Sequence, residues 1–357
     1  MEKIEIIKLL AIVLVFALCI ASFAACNNGK GNANSNTSNT MGESVSSVSA
    51  KFTKGENGYT TTAAKKITTF ENPDDTVIIC WGSSLIEGMK MSEGYSFPAQ
   101  LQANLNGQFK VINAGVSGET STTVTARANA IDAFLAEDIV FEKGQSSIEL
   151  QRDFLYAANG HDIIFKGFSK SLPFKKINIG TQSFKVIYKA GKTWDTGTYT
   201  IVRDSENAKL TLKKGTKVSF DYSDKYKNNY CNVILMGGND GTVGTPEFIT
   251  ENYGKIGATS DKNIYIIQWN VTDEKRQALK DAFGEQALDP LDYMVNNAMD
   301  DYGMIPTEID SYCVKKNIVP SSFHLNNDRF DVHLNELGYK VLADLVYKKG
   351  VELGYWK

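Results

Sequence analysis

The stretch that decides the fold is "TVIICWGSSLIEG", Thr76 to Gly88. It begins as a short apolar run, which is typical of a strand buried in a parallel sheet. The run stops at a glycine and two serines, and a helix-like pattern follows. Similar apolar runs recur at 109–115, 230–238 and 263–270, and helical patterns alternate with them. This alternation predicts an α/β domain built on a parallel sheet.

Several of the helical patterns carry signals for where they begin. Ser96 and Thr272 each precede such a pattern and are placed to cap it. The last pattern, over 335–356, is amphipathic and predicts a C-terminal helix whose apolar face is made by Leu337, Val341, Leu342, Leu345 and Val346.

The hydrophobic pattern changes in the middle of the chain. Residues 131–225 show short alternating runs separated by Gly, Lys and Asp, which predict an antiparallel sandwich or barrel. We therefore expect a β-rich insert domain that divides the α/β domain into two parts, 51–130 and 226–357. Thr-rich segments between 51 and 75 could add an edge strand.

The N-terminal segment has the features of a secretory signal. A charged start precedes the apolar run "LLAIVLVFALCIASFAA", which is rather short for a transmembrane anchor. Ala24 and Ala25 directly before Cys26 resemble a bacterial lipobox, although Phe23 departs from the usual residue. We expect a signal peptide over 1–25, a lipid on Cys26, and a disordered Asn- and Ser-rich tether over 26–50. The protein would then be anchored at the extracellular face of a bacterial membrane.

Charge and cysteine content limit the possible functions. The net charge is −3, which argues against a nucleic-acid-binding surface. Cys80, Cys231 and Cys313 lie in apolar or helical patterns and are expected to be buried thiols. The sequence has no metal-binding motif and no phosphate-binding loop, so no metal or cofactor is predicted.

Polar clusters follow the predicted strands, where a parallel sheet places its functional sites. The first strand is followed by "GSSL", the second by "NAGVSGET" and the strand after the insert by "GGND". "RFDVHLN" precedes the last helix and can reach the same edge by a short loop.

These clusters contain the groups that acyl transfer requires. A serine needs a base within hydrogen-bond reach, and histidine is the usual base. His161 falls in the insert and His324 in a polar loop, whereas His333 lies at the entry to the last helix. Donors for an oxyanion could come from the Gly118 N–H and the Asn239 side chain.

Together the four clusters resemble the SGNH, or GDSL-type, hydrolase family. In this resemblance Ser84, rather than Ser83, corresponds to the nucleophile and His333 to the base. Gly118 and Asn239 correspond to the oxyanion-hole donors. The resemblance implies a three-layer α/β/α sandwich of flavodoxin-like type and a mechanism that needs no cofactor.

The sequence departs from the family pattern at the acid. The family places an aspartate three residues before the histidine, but Phe330 occupies that position. Asp331 lies two residues before His333, on the same side of an extended chain, and Asp328 lies five before it. We favour Asp331 as the third catalytic residue, with Asp328 or a backbone carbonyl as alternatives.

The resemblance predicts a serine esterase, and it also admits lipid or thioester substrates. A surface lipoprotein with a β-rich insert beside the site favours deacylation of a glycan or of another extracellular polymer. The expected partners are an ester substrate, such as an acylated polysaccharide, and the membrane through the lipid anchor. One alternative is a tethered glycan-binding protein with a degenerate hydrolase core. Another is an acyltransferase that uses the same site. Trp81, Trp194 and Tyr199 could contact a sugar, but burial of the aromatic residues in the insert is the better hypothesis.

Overall fold

The computed structural model describes residues 50–55, 58–63, 67, 69–73, 76–165, 176–189, 197–221 and 228–357. The predicted signal peptide, Cys26, nearly all of the predicted tether and Trp194 lie outside these residues. Within the described part of the chain, no helix combines the length and apolar character needed to cross a bilayer.

A five-stranded parallel sheet forms the α/β part of the molecule. Its strands, in spatial order, are β16 (Ala287–Leu288), β15 (Asn263–Ile266), β14 (Asn229–Leu235), β3 (Val77–Gly82) and β4 (Lys110–Gly115). The predicted parallel sheet is therefore present. Its middle strands β14 and β3 are buried almost throughout, which explains why they appear in the sequence as continuous apolar runs.

Alternate residues of β3 enter two separate cores. Ile78 and Cys80 pack in one core with residues of α2 (Phe97–Leu105) and α9 (Glu336–Glu352). The intervening Ile79 packs in the other core, which includes residues of α4 (Pro246–Gly257) and α5 (Asp273–Phe283). Each large aliphatic side chain buried in this way contributes about 1.5–3 kcal/mol. The predicted apolar face of α9 lies in the first core.

The predicted helix caps have different outcomes. Thr272 caps α5, since its side chain accepts a hydrogen bond from the Lys275 N–H. Ser96 occupies the N-cap position of α2 with extended backbone, but its side chain makes no capping hydrogen bond, so that part of the prediction is wrong. The other helices are α1 (Ser84–Glu87), α3 (Ser121–Arg127), α6 (Leu291–Asn296), α7 (Ala298–Asp301) and α8 (Glu308–Lys315).

Antiparallel sheets occupy the chain between β4 and β14, where the alternating runs occur. A seven-stranded sheet has the order β7-β11-β10-β9-β13-β5-β8, and β12 pairs with β6 in a two-stranded sheet. The strands are β5 (Ala133–Leu135), β6 (Ile139–Phe141), β7 (Ser147–Leu150), β8 (Leu155–Ala157), β9 (Lys176–Ile179), β10 (Gln182–Lys189), β11 (Thr198–Val202), β12 (Leu210–Leu212) and β13 (Lys217–Phe220). Their buried side chains form a third core.

The Thr-rich segment before β3 does not extend the parallel sheet. β1 (Ala50–Gly55) and β2 (Gly58–Ala63) pair with each other as a two-stranded antiparallel sheet. The suggested edge strand is therefore replaced by a separate hairpin.

Two glycines allow the strand ends to approach their neighbours closely. Gly82 and Gly115 are partners in the β3–β4 register. A Cβ on Gly82 would lie 2.1 Å from the Leu235 carbonyl oxygen, and one on Gly115 would lie 2.1 Å from the Glu87 nitrogen. Both obstacles are backbone atoms, so α1 can sit against the end of β4 only because Gly115 has no side chain.

We predict that Gly115→Ala displaces α1 and lowers the free energy of unfolding by about 1–3 kcal/mol or more, the usual range for overpacking. Urea denaturation monitored by circular dichroism measures the change.

Gly254→Ala is the matched control, because its Cβ would meet nothing closer than 4.0 Å, on a helix. This control should be neutral or slightly stabilising. Equal stability of the Gly115→Ala variant and the wild type would contradict the packing argument.

Candidate active site

The turn from β3 into α1 presents Ser84 at the first residue of the helix. β3 ends at Gly82, Ser83 is the N-cap residue, and α1 begins at Ser84. The Ser83 side chain is buried and makes no cap hydrogen bond, whereas Ser84 is partly exposed. Of the two serines, Ser84 is therefore the one that a substrate can reach.

His333 meets Ser84 from the loop that precedes α9. Its Nε2 lies 2.9 Å from the Ser84 Oγ. The loop is held at its base by Asn335, whose side-chain oxygen caps α9 and whose amide donates to the carbonyls of Ser322 and His324. This fixed entry to the helix sets the direction of the imidazole ring.

Asp331 holds the other side of the ring. Its Oδ1 lies 2.6 Å from His333 Nδ1 and also accepts the His333 backbone N–H at 3.0 Å. A carboxylate only accepts hydrogen bonds, so in the neutral ring Nδ1 carries the proton and Nε2 is free to accept the Ser84 hydroxyl proton. The offset of two residues works because one oxygen reaches both the backbone and the side chain of the histidine.

The other candidates for the acid are not at the ring. Asp328 is exposed and its Oδ1 accepts the Phe330 backbone N–H. Phe330, at the position where the family has its aspartate, is 82% exposed.

His161, one of the three histidines that could have served as the base, packs edge-on against Phe248, with ring centroids 5.0 Å apart.

The two predicted oxyanion donors lie on neighbouring loops. Gly118 has a φ of 82°, a left-handed conformation that favours glycine. Among the described residues its N–H has no hydrogen-bond acceptor, so it is available to a ligand. Asn239 is exposed, and its Nδ2 donates to the Glu119 carbonyl at 2.9 Å, which leaves one N–H of the amide for another acceptor. The structure thus joins the second and third clusters.

Carboxylates that the sequence analysis did not select hold these loops. The Glu87 carboxylate accepts the Ser117 N–H at 2.5 Å. The Asp240 carboxylate accepts both the N–H and the hydroxyl of Ser121 at 2.7 Å, which ties the Asn239 loop to the start of α3. Burial raises the pKa of Asp240, although the hydrogen bonds from Ser121 oppose that effect. In the sequence, Glu87 follows the "GSSL" cluster by two residues and Asp240 is the last residue of "GGND", but neither position indicates that the carboxylate holds a loop.

Asp310 holds the segment that leads into the loop of Asp331 and His333. It is fully buried, and it accepts the backbone N–H groups of Thr307 and Ser322 at 2.9 Å each. Three hydroxyls, from Thr307, Ser321 and Ser322, also donate to it. Burial opposes ionisation, but these hydrogen bonds outweigh it and hold the pKa of Asp310 below its usual range.

The remaining candidates are placed as follows. Cys80, Cys231 and Cys313 are buried free thiols, as predicted. Trp81 is buried and donates to Asn232 at 3.0 Å, and Tyr199 is fully buried, so neither can stack on a sugar. No group of three or more His, Cys, Asp and Glu side chains in the described residues could hold a metal ion.

No family model matches the chain, and no curated protein matches it. Among solved structures, the crystal structure of AlinE4, an SGNH-hydrolase family esterase, aligns over 66% of this chain and 76% of that chain, with 13% identity and a TM-score of 0.28. Serine-to-alanine and aspartate-to-alanine mutants of the same esterase align over the same shares at 13% identity, with TM-scores of 0.28 and 0.27. These values do not establish a common fold, so the function proposed below depends on the geometry of the site.

We predict that Asp331→Asn slows the reaction of Ser84 with a fluorophosphonate probe by about 10²-fold or more, because the ring loses the acceptor that fixes its tautomer. The rate of adduct formation, followed by intact-protein mass spectrometry, measures the effect.

Asp328→Asn is the control and should react within about twofold of the wild-type rate. A larger loss in the Asp328 variant than in the Asp331 variant would reverse the assignment of the acid.

We predict that Asp310→Asn lowers the free energy of unfolding at pH 7 by about 2 kcal/mol, the usual size for hydrogen bonds to a charged group. The lowered pKa means that this contribution is present above the unfolded pKa and is lost as pH falls through the folded pKa. The gap in stability between variant and wild type should therefore narrow on acidification. Urea denaturation at several pH values checks this, and a gap that widens would contradict it.

Proposed function

We propose that this chain is a serine ester hydrolase of the SGNH type. The observation that carries the proposal is the continuous hydrogen-bonded chain from Ser84 Oγ to His333 Nε2, at 2.9 Å, and from His333 Nδ1 to Asp331 Oδ1, at 2.6 Å. Nucleophile, base and orienting carboxylate are in contact in the order that activates a hydroxyl.

The reaction follows from these contacts. Ser84 Oγ attacks the ester carbonyl while His333 Nε2 takes its proton. The carbon–oxygen bond to the alcohol then breaks, and the imidazolium returns the proton to the departing alcohol. Water attacks the acyl-enzyme by the same route and releases the acid and free Ser84. The Asp331 carboxylate stabilises the imidazolium through its contact with Nδ1.

Gly118 and Asn239 complete the site in this proposal. The negative charge of the tetrahedral intermediate develops on the former carbonyl oxygen. The free N–H of Gly118 and the second amide N–H of Asn239 are the donors for it. Donors of this kind typically account for 10²–10³-fold in rate each, because they are already oriented before the charge forms.

We further propose the substrate, the location and the fold that the sequence predicts. The substrate is an acyl ester on an extracellular glycan, and the protein is held at the outer membrane face by a lipid on Cys26. The fold is the three-layer SGNH sandwich, divided by the β-rich insert at 131–225. The insert contacts α3, the helix that follows the Gly118 loop, because the Ile164 N–H donates to the Thr123 hydroxyl at 3.2 Å. We propose that the insert influences what reaches the site, and its contact with α3 supports this role.

We predict that Ser84→Ala abolishes hydrolysis of p-nitrophenyl acetate to within the background rate, because the variant lacks the hydroxyl that forms the acyl-enzyme. Release of p-nitrophenol measures turnover. Ser83→Ala is the matched control, since its hydroxyl makes no cap hydrogen bond, and it should retain most of the activity.

The same proteins test the substrate class with an O-acetylated polysaccharide such as acetylated xylan. Release of free acetate by the wild type and not by Ser84→Ala is expected. Equal p-nitrophenol release by the wild type and Ser84→Ala would overturn the esterase proposal. Appearance of the acetyl group on an added sugar acceptor would instead indicate acyl transfer.

A further inference from the structure

A buried ion pair lies beside the candidate active site. Arg127 and Glu119 have side chains that are 0% exposed, and the Arg127 Nη2 and the Glu119 Oε2 are 2.8 Å apart. The Arg127 Nε donates to the same oxygen at 2.8 Å. Burying two charges is costly, and the paired geometry repays that cost only when both groups are held in place. The pair is not part of the hydrolytic mechanism, so its role needs another explanation.

Arg127 also binds the ends of the two strands that carry the site. Its Nη2 donates to the Ala114 carbonyl of β4 at 2.8 Å and, at a longer 3.4 Å, to the Gly82 carbonyl of β3. Ser84 lies two residues after Gly82, and the loop that contains Gly118 begins directly after β4. One guanidinium therefore links the two strand ends from which the nucleophile and the first oxyanion donor project. Its planar fork suits several acceptors in fixed directions, which a lysine cannot match.

Glu119 connects the same guanidinium to both oxyanion donors. It directly follows Gly118, and its backbone carbonyl accepts the Asn239 amide at 2.9 Å. Because Arg127 holds the Glu119 side chain in place, it also restrains the Glu119 backbone. That backbone is linked to Gly118 by a peptide bond and to Asn239 by a hydrogen bond. Burial raises the pKa of Glu119, and although Arg127 stabilises the charged form, the pKa is still raised to about 7. Without Arg127 the carboxyl would lose the partner that compensates its burial.

We propose that Arg127 is a positioning residue for the oxyanion hole, acting through Glu119 and through the carbonyls of Ala114 and Gly82. It does not touch the substrate. The proposal rests on the proposed function, because an oxyanion hole has meaning only if Ser84 attacks a carbonyl. Its consequence is that Arg127 affects the transition state more than the binding of the substrate.

The test uses Arg127→Met and Arg127→Lys in the full-length protein. The readouts are the rate at which a fluorophosphonate modifies Ser84, and the kcat and KM for p-nitrophenyl acetate, all measured well below each variant's unfolding temperature. In the probe reaction the Ser84 oxygen bonds to phosphorus, fluoride leaves, and His333 takes the hydroxyl proton. The phosphoryl oxygen occupies the oxyanion position, so this rate reports on the hole.

We expect Arg127→Met to lower kcat and the probe rate by about 10²-fold, with KM changed less than about threefold, as for loss of one oxyanion donor. The kcat and the probe rate of Arg127→Lys should lie between those of Arg127→Met and those of the wild type. Arg127→Met with Glu119→Gln should regain stability, because no unpaired charge remains, while its rates stay low.

Arg203→Met is the matched control for a merely structural arginine. Arg203 is 8% exposed and donates to the carbonyls of Glu142, Gln145 and Ala208 in the β-rich segment. Its loss should reduce stability but leave kcat and the probe rate within about twofold.

Probe and ester rates of a folded Arg127→Met variant within twofold of the wild type would overturn the proposal, as would full rates in the double variant. If Arg127→Met does not fold, the probe and ester rates of Arg127→Lys and of the double variant replace it, and rates within twofold of the wild type would overturn the proposal. A wild type that reacts with neither probe nor ester would overturn the proposed function, and the positioning role with it. A reactive wild type with unaffected Arg127 variants would overturn the positioning role alone.

Discussion

The parallel pairing of β3 with β4 on one side and β14 on the other is the constraint on which the rest of the site depends. In parallel strands all carboxyl ends face the same edge, so the segments after Gly82, Gly115 and Leu235 emerge together. The absence of side chains at Gly82 and Gly115 lets these segments pack within van der Waals distance of their neighbours. Sequence positions about 150 residues apart can therefore supply the nucleophile and the oxyanion donors.

The histidine reaches this edge by a different route. It comes from a loop anchored at both ends, by Asp310 before it and by Asn335 at the start of α9. Such anchoring matters because a displacement of about 1 Å at a reacting group can cost 10²-fold in rate. The loop also shows how an aspartate only two residues before the histidine can hold its ring. A single oxygen of Asp331 accepts the backbone N–H of His333 and contacts Nδ1 of the same residue.

Much of this arrangement could be predicted from the sequence. The strand before Ser84 and the amphipathic C-terminal helix have clear hydrophobic periods. Ser84 and His333 stand in short local motifs whose place relative to a strand or helix is readable. The offset of two residues favoured Asp331 over Asp328 as the partner of His333, but it left both aspartates as candidates, because the contact depends on how a short irregular loop bends. The sequence also did not show that Ser96, although it occupies the N-cap position of α2, makes no capping hydrogen bond.

The buried charges were the least predictable part. Arg127 and Glu119 occur in a polar stretch of the sequence, yet the side chains of both are fully buried. Only the tertiary structure shows that strand ends and a neighbouring loop surround them. The same is true of Asp310, whose role appears only when Ser321 and Ser322 fold back onto it.

The central claim is that Ser84, His333, Gly118 and Asn239 act together on a single acyl group. A crystal structure of the protein after reaction with a fluorophosphonate tests it most directly. The account predicts a covalent bond to Ser84 Oγ, with the phosphoryl oxygen about 3 Å from both the Gly118 nitrogen and the Asn239 Nδ2. An adduct on another residue, or a phosphoryl oxygen directed away from both donors, would contradict it.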